Sequence, residues 1–268
     1  SRKETVKTEF ETIRGLRRTL ALRASWMPSE TRKRAMLVFN DVTNLRHLEN
    51  MRRDFVANVS HELKTPLTAL MGFIETLQGP ARDDPEARDR FLTIMAREAG
   101  RMDRLTQDLL SLSRVERDER RRPDAQVELA ALVRAGVQAM APAAQARNVT
   151  LTIQTAPDLA TLRGDADQLA QVLSNLIENA IKYGRDGGIV TITLSQLGHD
   201  PRLQGRVQRI DVADEGAGID PRHLARLTER FYRVDSHRSR DVGGTGLGLA
   251  IAKHIANRHR GRLEISST

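Results

Sequence analysis

DFVANVSHELKTP, residues 54–66, decides how the rest of the chain reads. It sets His61 beside Glu62 inside an apolar pattern of helical period. A histidine on a solvated helix face beside a carboxylate can serve as a nucleophile. The carboxylate holds one ring nitrogen as N–H and leaves the lone pair of the other free to attack. Taken alone, the same two residues read more readily as an ordinary surface pair. Their weight comes from what surrounds them.

Leu45, Leu48, Phe55, Val59, Leu63, Leu67, Leu70, Phe73 and Leu77 recur at steps of mostly three and four, a stripe broken by Arg52. His61 falls off that stripe, which points it toward water. Pro66 lies within the helix and removes a backbone hydrogen bond, so a bend is expected near it. QGPARDDP, residues 78–85, ends the helix. A second helix is expected from Glu86, with Phe91, Ile94, Met102, Leu105, Leu109 and Leu112 on its stripe. Two long helices joined by a short turn form an antiparallel hairpin with apolar surface left over. Pairing two hairpins into a dimeric four-helix bundle would cover it, so a homodimer is expected.

Upstream, residues 1–42 read as β structure. Residues 17–24 alternate, 35–39 (AMLVF) form a short apolar strand, and Pro28, Ser29 and Glu30 make a turn between them. Two or three strands cannot close a core, which suggests the tail of a larger, cut domain. No Met leads the chain, in keeping with an excised fragment. Downstream, residues 119–124 (ERRRPD) read as a linker. Beyond it, helix is expected over 127–147, 164–183 and 247–259, and strand over 149–154, 188–196, 207–213 and 262–266. That mixture predicts an α+β sandwich, with helices on one face of a mixed sheet.

Composition narrows the function classes. The 268 residues allow two or three modest domains, and 39% hydrophobic with 29% charged residues is ordinary for a globular protein. Aromatics at 3% favour aliphatic helical packing, and the absence of cysteine excludes disulfides and thiolate metal sites. Apolar runs are too short for a transmembrane span or signal peptide. The net charge of +8 comes from arginines scattered among acidic residues without interleaved aromatics, which weighs against a nucleic-acid site.

Three downstream segments together suit a nucleotide. On DQLAQVLSNLIENAIKY, residues 167–183, Asn175 and Asn179 share one helix face, with Lys182 about one turn on. Their amide oxygens and a nearby ammonium suit Mg²⁺ and a triphosphate, because that ion keeps most of its waters. In DVADEGAGID, residues 211–220, Asp214 stands where a strand ends, placed to accept the exocyclic amine of adenine. Gly216 and Gly218 let the backbone approach a base. DVGGTGLGLAI, residues 241–251, places four glycines ahead of a helix, suited to phosphate binding by backbone N–H groups and the helix dipole. It is neither a Walker A loop nor a dinucleotide fingerprint, and the Ser/Thr/Tyr-kinase signatures are missing.

These motifs carry a resemblance. The chain resembles the sensor histidine kinases of bacterial two-component systems, and most closely the phosphate-regulon sensor kinases. The likeness rests on FVANVSHELKTPLT, NLIENAIKY, DEGAG, RFYRV and GGTGLGLAI in family order, and it runs from Val42 to Ser266. VFNDVTNLRHLENMRRDF resembles the end of a PAS domain running into a signalling helix. The resemblance implies three parts: the C-terminal part of a PAS-like domain (1–42), a signalling helix with the dimerisation and phosphotransfer hairpin (43–120), and an ATP-binding domain of histidine-kinase/Hsp90-like type lacking its last strand (121–268).

It further implies that His61 is the phosphoacceptor, with Glu62 holding the Nδ1 proton and Thr65 positioning water for dephosphorylating the partner. Asn175 and Asn179 would hold Mg²⁺ and phosphates, and Lys182 and Tyr183 would line the nucleotide. Asp214 would read adenine, with Gly216 and Gly218 shaping its pocket. Arg233, Gly244, Thr245, Gly246, Leu247 and Gly248 would close over the triphosphate. The implied cofactors are ATP and Mg²⁺, and the implied partners are a response-regulator receiver domain and a second copy of this chain. Membrane attachment would come only through segments absent from this fragment, the cytoplasmic portion of an inner-membrane protein. Glu215 and Ala217 depart from the usual Asn and Pro, and Glu215 is expected to weaken ATP binding modestly. The rival readings are an ATP-driven clamp of the chaperone and mismatch-repair type, a basic coiled coil on DNA, and a scaffold without activity.

Overall fold

The computed structural model describes residues 5–12, 16–27, 34–118, 121–157, 159–200, 203, 205–234 and 244–267. It forms two compact units, Ser1–Thr68 and Ala69–Thr268.

The first unit opens with an antiparallel meander of β1 (Val6–Glu11), β2 (Thr19–Met27) and β3 (Arg34–Asp41), in that order. Val6 pairs with Ala24 and Leu20 with Asp41, so β2 is the middle strand. The turn expected at Pro28, Ser29 and Glu30 lies outside the described residues. A dense polar joint fixes the start of helix α1 (Thr43–Gln78) to this sheet. Asp41 accepts from the Thr43 backbone at 3.0 Å and from its hydroxyl at 2.5 Å, and these bonds hold its carboxyl below the usual range. Thr19 donates to the Thr43 hydroxyl at 2.9 Å, and Arg46 reaches Glu9 at 2.8 Å.

Helix α1 runs through Pro66, which is buried. At the end of α1, Gly79 and Ala81 donate to the carbonyls of Glu75 and Thr76. Helix α2 (Pro85–Asp118) begins one residue earlier than expected. Asp84 accepts from Ala87 N–H at 3.0 Å, and Pro85 takes the first helical position, where a missing N–H costs nothing. Phe73 stacks on Phe91 with ring centroids 5.3 Å apart, so the chain folds back on itself as a helical hairpin.

The second unit contains the sandwich. Its sheet has the order β5 (Thr150–Thr155), β7 (Ile189–Asp200), β8 (Gly205–Ala213), parallel on one side of β7 and antiparallel on the other. Helices α3 (Leu129–Gln145), α4 (Ala166–Tyr183) and α6 (Gly248–Arg258) complete the layer, with short α5 (Pro221–Leu224) between β8 and α6. Val190, Ile192 and Leu194 alternate along β7 at no more than 1% exposure, against Val133, Leu173 and Ile177. Each such burial stabilises by roughly 1.5–3 kcal/mol. Leu247, Ile251 and Ile255 bury the inner face of α6, against which the end of α2 packs.

Three local expectations are corrected. Val127 is not helical: with Gln126 it forms β4, paired with β6 (Leu162–Arg163), so α3 starts two residues later. Gly164 lies outside α4, its N–H bound to Ala125 O at 2.8 Å. A Cβ there would lie 2.8 Å from Leu169 Cδ1. Asp165, accepting from Gln168 N–H, starts the helix instead. Residues 262–266 form no strand. Just past it, the Ser267 hydroxyl accepts from Ile219 N–H at 2.8 Å.

Candidate functional site

His61, Glu62 and Thr65 lie together on α1 in the first unit, and every other candidate lies in the second. The helical period leaves His61 exposed. The Thr65 hydroxyl donates to the His61 carbonyl at 3.1 Å, one turn back and beside the proline that supplies no N–H to the Glu62 carbonyl. The helix is therefore least regularly bonded next to its candidate nucleophile.

In the second unit, α4 carries the candidates from its middle to its C-terminus. Asn175 Nδ2 donates to Gly248 O at 3.0 Å, tying α4 to the first turn of α6 and leaving the amide oxygen as a hard donor. Lys182 Nζ pairs with Glu178 at 2.7 Å. The carbonyls of Ile181 and Lys182 accept from Arg147, which also pairs with Asp186. This guanidinium at the negative end of α4 was not foreseen; its residue type fits the helix dipole, but it sits 34 residues from Ile181.

Tyr183, Asp214, Gly216 and Gly244 meet at that end of α4. Gly216 N–H donates to Asp214 Oδ1 at 2.8 Å, and a Cβ at Gly216 would lie 2.6 Å from Tyr183 O. Gly218 has φ +76°, a conformation glycine adopts freely. A Cβ at Gly244 would lie 3.3 Å from the Tyr183 hydroxyl. The Glu215 carboxylate accepts from Ile189 N–H at 3.2 Å, at the start of β7.

The RFYRV segment is joined to the glycine-rich segment through its backbone. Phe231 donates to Gly246 O at 2.9 Å, with φ +62° at Phe231 and +73° at Gly246. A Cβ at Gly246 would stand 3.0 Å from Phe231 Cα, so only glycine fits. Arg233 is half-buried beside this joint, and Leu247 is buried. Residues 241–243 of the glycine-rich stretch lie outside the described residues. The Thr245 hydroxyl accepts from Leu247 N–H at 3.3 Å and donates to Asp108 Oδ2 at 2.6 Å. Burial pushes the Asp108 carboxyl up, the Thr245 bond opposes that, and Glu178 raises it further. Asp108, Arg147, Arg230 and Glu116 are site neighbours that periodicity could not reveal, since their partners lie far along the chain.

Chemically, the second unit offers an acceptor for an amine at Asp214, a tyrosine face, two amides on one helix face and backbone N–H groups at a helix N-terminus. This donor set fits a purine nucleotide with its phosphates. Among the described residues no cluster of three acidic or histidine side chains exists to hold a bare metal. Amide oxygens fit an ion that keeps its waters and takes phosphate oxygens.

Comparison with known proteins agrees. Residues 51–118 match the His Kinase A (phospho-acceptor) domain, and residues 164–268 match the histidine kinase-, DNA gyrase B- and HSP90-like ATPase family. The chain is 45% identical over 239 residues to the phosphate regulon sensor protein PhoR of Pseudomonas aeruginosa, covering 88% of this chain and 51% of that protein. It is 38% identical over 245 residues to the sensor-like histidine kinase SenX3 of Mycobacterium tuberculosis, covering 91% and 57%. It thus spans about half the length of the curated relatives it matches. Among solved structures, full-length ShkA in complex with AMPPNP is 27% identical with TM-score 0.52, covering 76% of this chain and 41% of that one. The histidine kinase AdeS of Acinetobacter baumannii, 24% identical with TM-score 0.54 over 74% of this chain and 86% of that one, shares the fold. With a phosphoacceptor hairpin and an ATPase domain in that order, the chain belongs to the sensor histidine kinases of two-component systems.

Proposed function

We propose that the protein phosphorylates itself on His61 with ATP and passes the phosphoryl group to an aspartate of a response-regulator receiver domain. The observation that carries this reading is the placement of Gly248 beside Asn175 at the middle of α4 and of Gly244, Gly216 and Asp214 beside Tyr183 at its C-terminal end. An exposed His61 stands on the phosphoacceptor helix of the same chain.

Asp214 accepts the adenine amine, and Tyr183 lines the base. Backbone N–H groups at Gly244, Thr245 and Gly246 and at the start of α6 face the phosphates, with Lys182, Arg233 and Leu247 beside them. Asn175 and Asn179 would hold Mg²⁺, which when bound neutralises charge on the triphosphate. Phosphoryl transfer asks mostly for positioning and charge neutralisation. The unprotonated ring nitrogen of His61 attacks the γ-phosphorus; a P–N bond forms, the P–O bond to ADP breaks, and ADP departs with the electron pair. Glu62 holds the proton on Nδ1 and tempers the positive charge on the ring. The receiver aspartate then attacks phosphorus, the P–N bond breaks, and the imidazole returns to its neutral form. Thr65 orients water for removing the phosphoryl group from that aspartate, a phosphatase activity that opposes the kinase.

The same reading assigns 1–42 to the end of a PAS domain, 43–120 to signalling helix and dimeric hairpin, and 121–268 to ATP binding. The exposed Leu45, Leu48 and Leu67 on α1 support a homodimer. The likeness to a phosphate regulon sensor supports a role in phosphate-starvation signalling. Among the described residues no helix is long and apolar enough to cross a membrane. Inner-membrane anchoring of the whole protein is therefore assigned to segments other than these. Incubation with γ-labelled ATP and Mg²⁺ tests the reading. Acid-labile, base-stable label is expected; nucleotide hydrolysis without any label on protein would favour an ATP-driven clamp instead.

A further inference from the structure

The chain leaves α4 at Gly184 in an extended conformation, φ −64° and ψ 171°, not in the left-handed turn that closes many helices. Gly184 N–H satisfies the Ala180 carbonyl at 2.9 Å, and the carbonyls of Ile181 and Lys182 still need donors. Arg147 supplies both from the connection between α3 and β5, and its guanidinium also pairs with Asp186 in the turn after α4. A planar guanidinium suits this task, because it directs several N–H groups at fixed angles. Its own carbonyl accepts from Gly187 N–H at 3.1 Å, so one residue grips the 181–187 stretch through both side chain and backbone.

That stretch lies directly against the segment carrying Asp214. A Cβ at Gly184 would stand 3.4 Å from Asp214 Cβ, and one at Gly216 would stand 2.6 Å from Tyr183 O. On the other side of the turn the Glu215 carboxylate accepts from Ile189 N–H at 3.2 Å. Glycine at both contacts brings backbone close, so a displacement of the α4 end is passed on to Asp214. We infer that Arg147 is a positioning residue for the adenine end of the nucleotide site, holding Tyr183 and Asp214 at the separation that fits one base. This rests on the autokinase reading. The phosphate end is fixed by other bonds, Asn175 to Gly248 O and Phe231 to Gly246 O. Loss of Arg147 is therefore felt in recognition of the base and not in the transfer step.

The test follows labelling of the whole chain by γ-labelled Mg·ATP over a range of concentrations, for the native protein, Arg147→Lys and Arg147→Met, with GTP as competitor. Guanine offers a carbonyl where adenine offers an amine, so Asp214 favours ATP only while it is held in place. Arg147→Met should raise KM for ATP about three- to tenfold, leave kcat within about twofold, and narrow the preference for ATP over GTP by a similar factor. Arg147→Lys, with one ammonium for three acceptors, should fall between the two. Native KM and preference in Arg147→Met, even with a lower melting temperature, overturn the positioning role and leave the kinase reading intact. So does a fall in kcat at native KM, or a raised KM with the preference unchanged. No labelling of the native chain overturns both. Should Arg147→Met fail to fold, Asp186→Asn replaces it, at a side chain 75% exposed. A smaller rise in KM with a narrowed preference then supports the role, and native values overturn it.

Discussion

Helices α1 and α4 carry similar amphipathic patterns and meet opposite fates. Over 18 residues, α4 buries Leu173, Ile177, Ala180 and Ile181 against a sheet that its own unit supplies. Over 36 residues, α1 buries only Pro66, while Leu45, Leu48, Leu67 and Ile74 remain exposed. An apolar stripe records that a helix needs a partner, but not where the partner comes from. The proposed nucleotide site stands on a core supplied by its own unit. The proposed phosphoacceptor, His61, stands on a helix whose stripe asks for a second copy.

Paired substitutions can break this contrast. Ile177→Ala should destabilise the second unit by ~3 kcal/mol or more, read from denaturant midpoints, because a fully buried side chain leaves a cavity. Leu67→Glu, on a residue 50% exposed, should leave that transition in place and shift sedimentation from dimer toward monomer. If the two variants exchanged these effects, or if Leu67→Glu left the dimer intact, the contrast would be lost.

A smaller effect is expected at Gly246. Alanine there forces φ +73° on a residue with a Cβ and presses it against Phe231, at a cost of about 1–3 kcal/mol. Mg·ATP affinity should fall several-fold with little change in the melting of α1 and α2. A native affinity in Gly246→Ala would remove the glycine-rich segment from the site.

The smallest effect concerns pH. His259 Nε2 accepts from Asp165 N–H at 2.9 Å while Nδ1 faces Ile255 O at 2.8 Å, so the folded ring is neutral with its proton on Nδ1. Burial lowers its pKa below the ordinary 6.5. The unfolded chain therefore takes up this proton first. The stabilisation is complete above pH 6.5 and declines as pH falls from there toward the folded value. Thermal melts should show that decline in the native chain and a flatter profile in His259→Gln. Equal slopes would contradict it.

Much of this molecule was legible in residue order. Period alone located the hairpin, α4 and the strands of the sandwich, since each buries a regular stripe. Strand β1 escaped because VKTEFE alternates with charge and has no apolar run. Val127 was misplaced because a two-residue ladder leaves no periodic trace. Residues 262–266 have strand-like alternation but join no ladder. At the candidate site, motif spacing singled out Asn175, Asp214 and the glycines, whereas Asp108 and Glu116 leave no mark in the sequence. Their partners lie 137 and 114 residues away, and only tertiary packing brings such pairs together.

The central claim separates acceptor from nucleotide site, and one paired measurement addresses it. Mg·ATP affinity and phosphoryl incorporation are determined side by side for the native chain, His61→Gln and Asn179→Asp. The account predicts that His61→Gln binds nucleotide like the native chain yet gains no label, while Asn179→Asp loses both. Label persisting in His61→Gln, or native binding and labelling in Asn179→Asp, would contradict it.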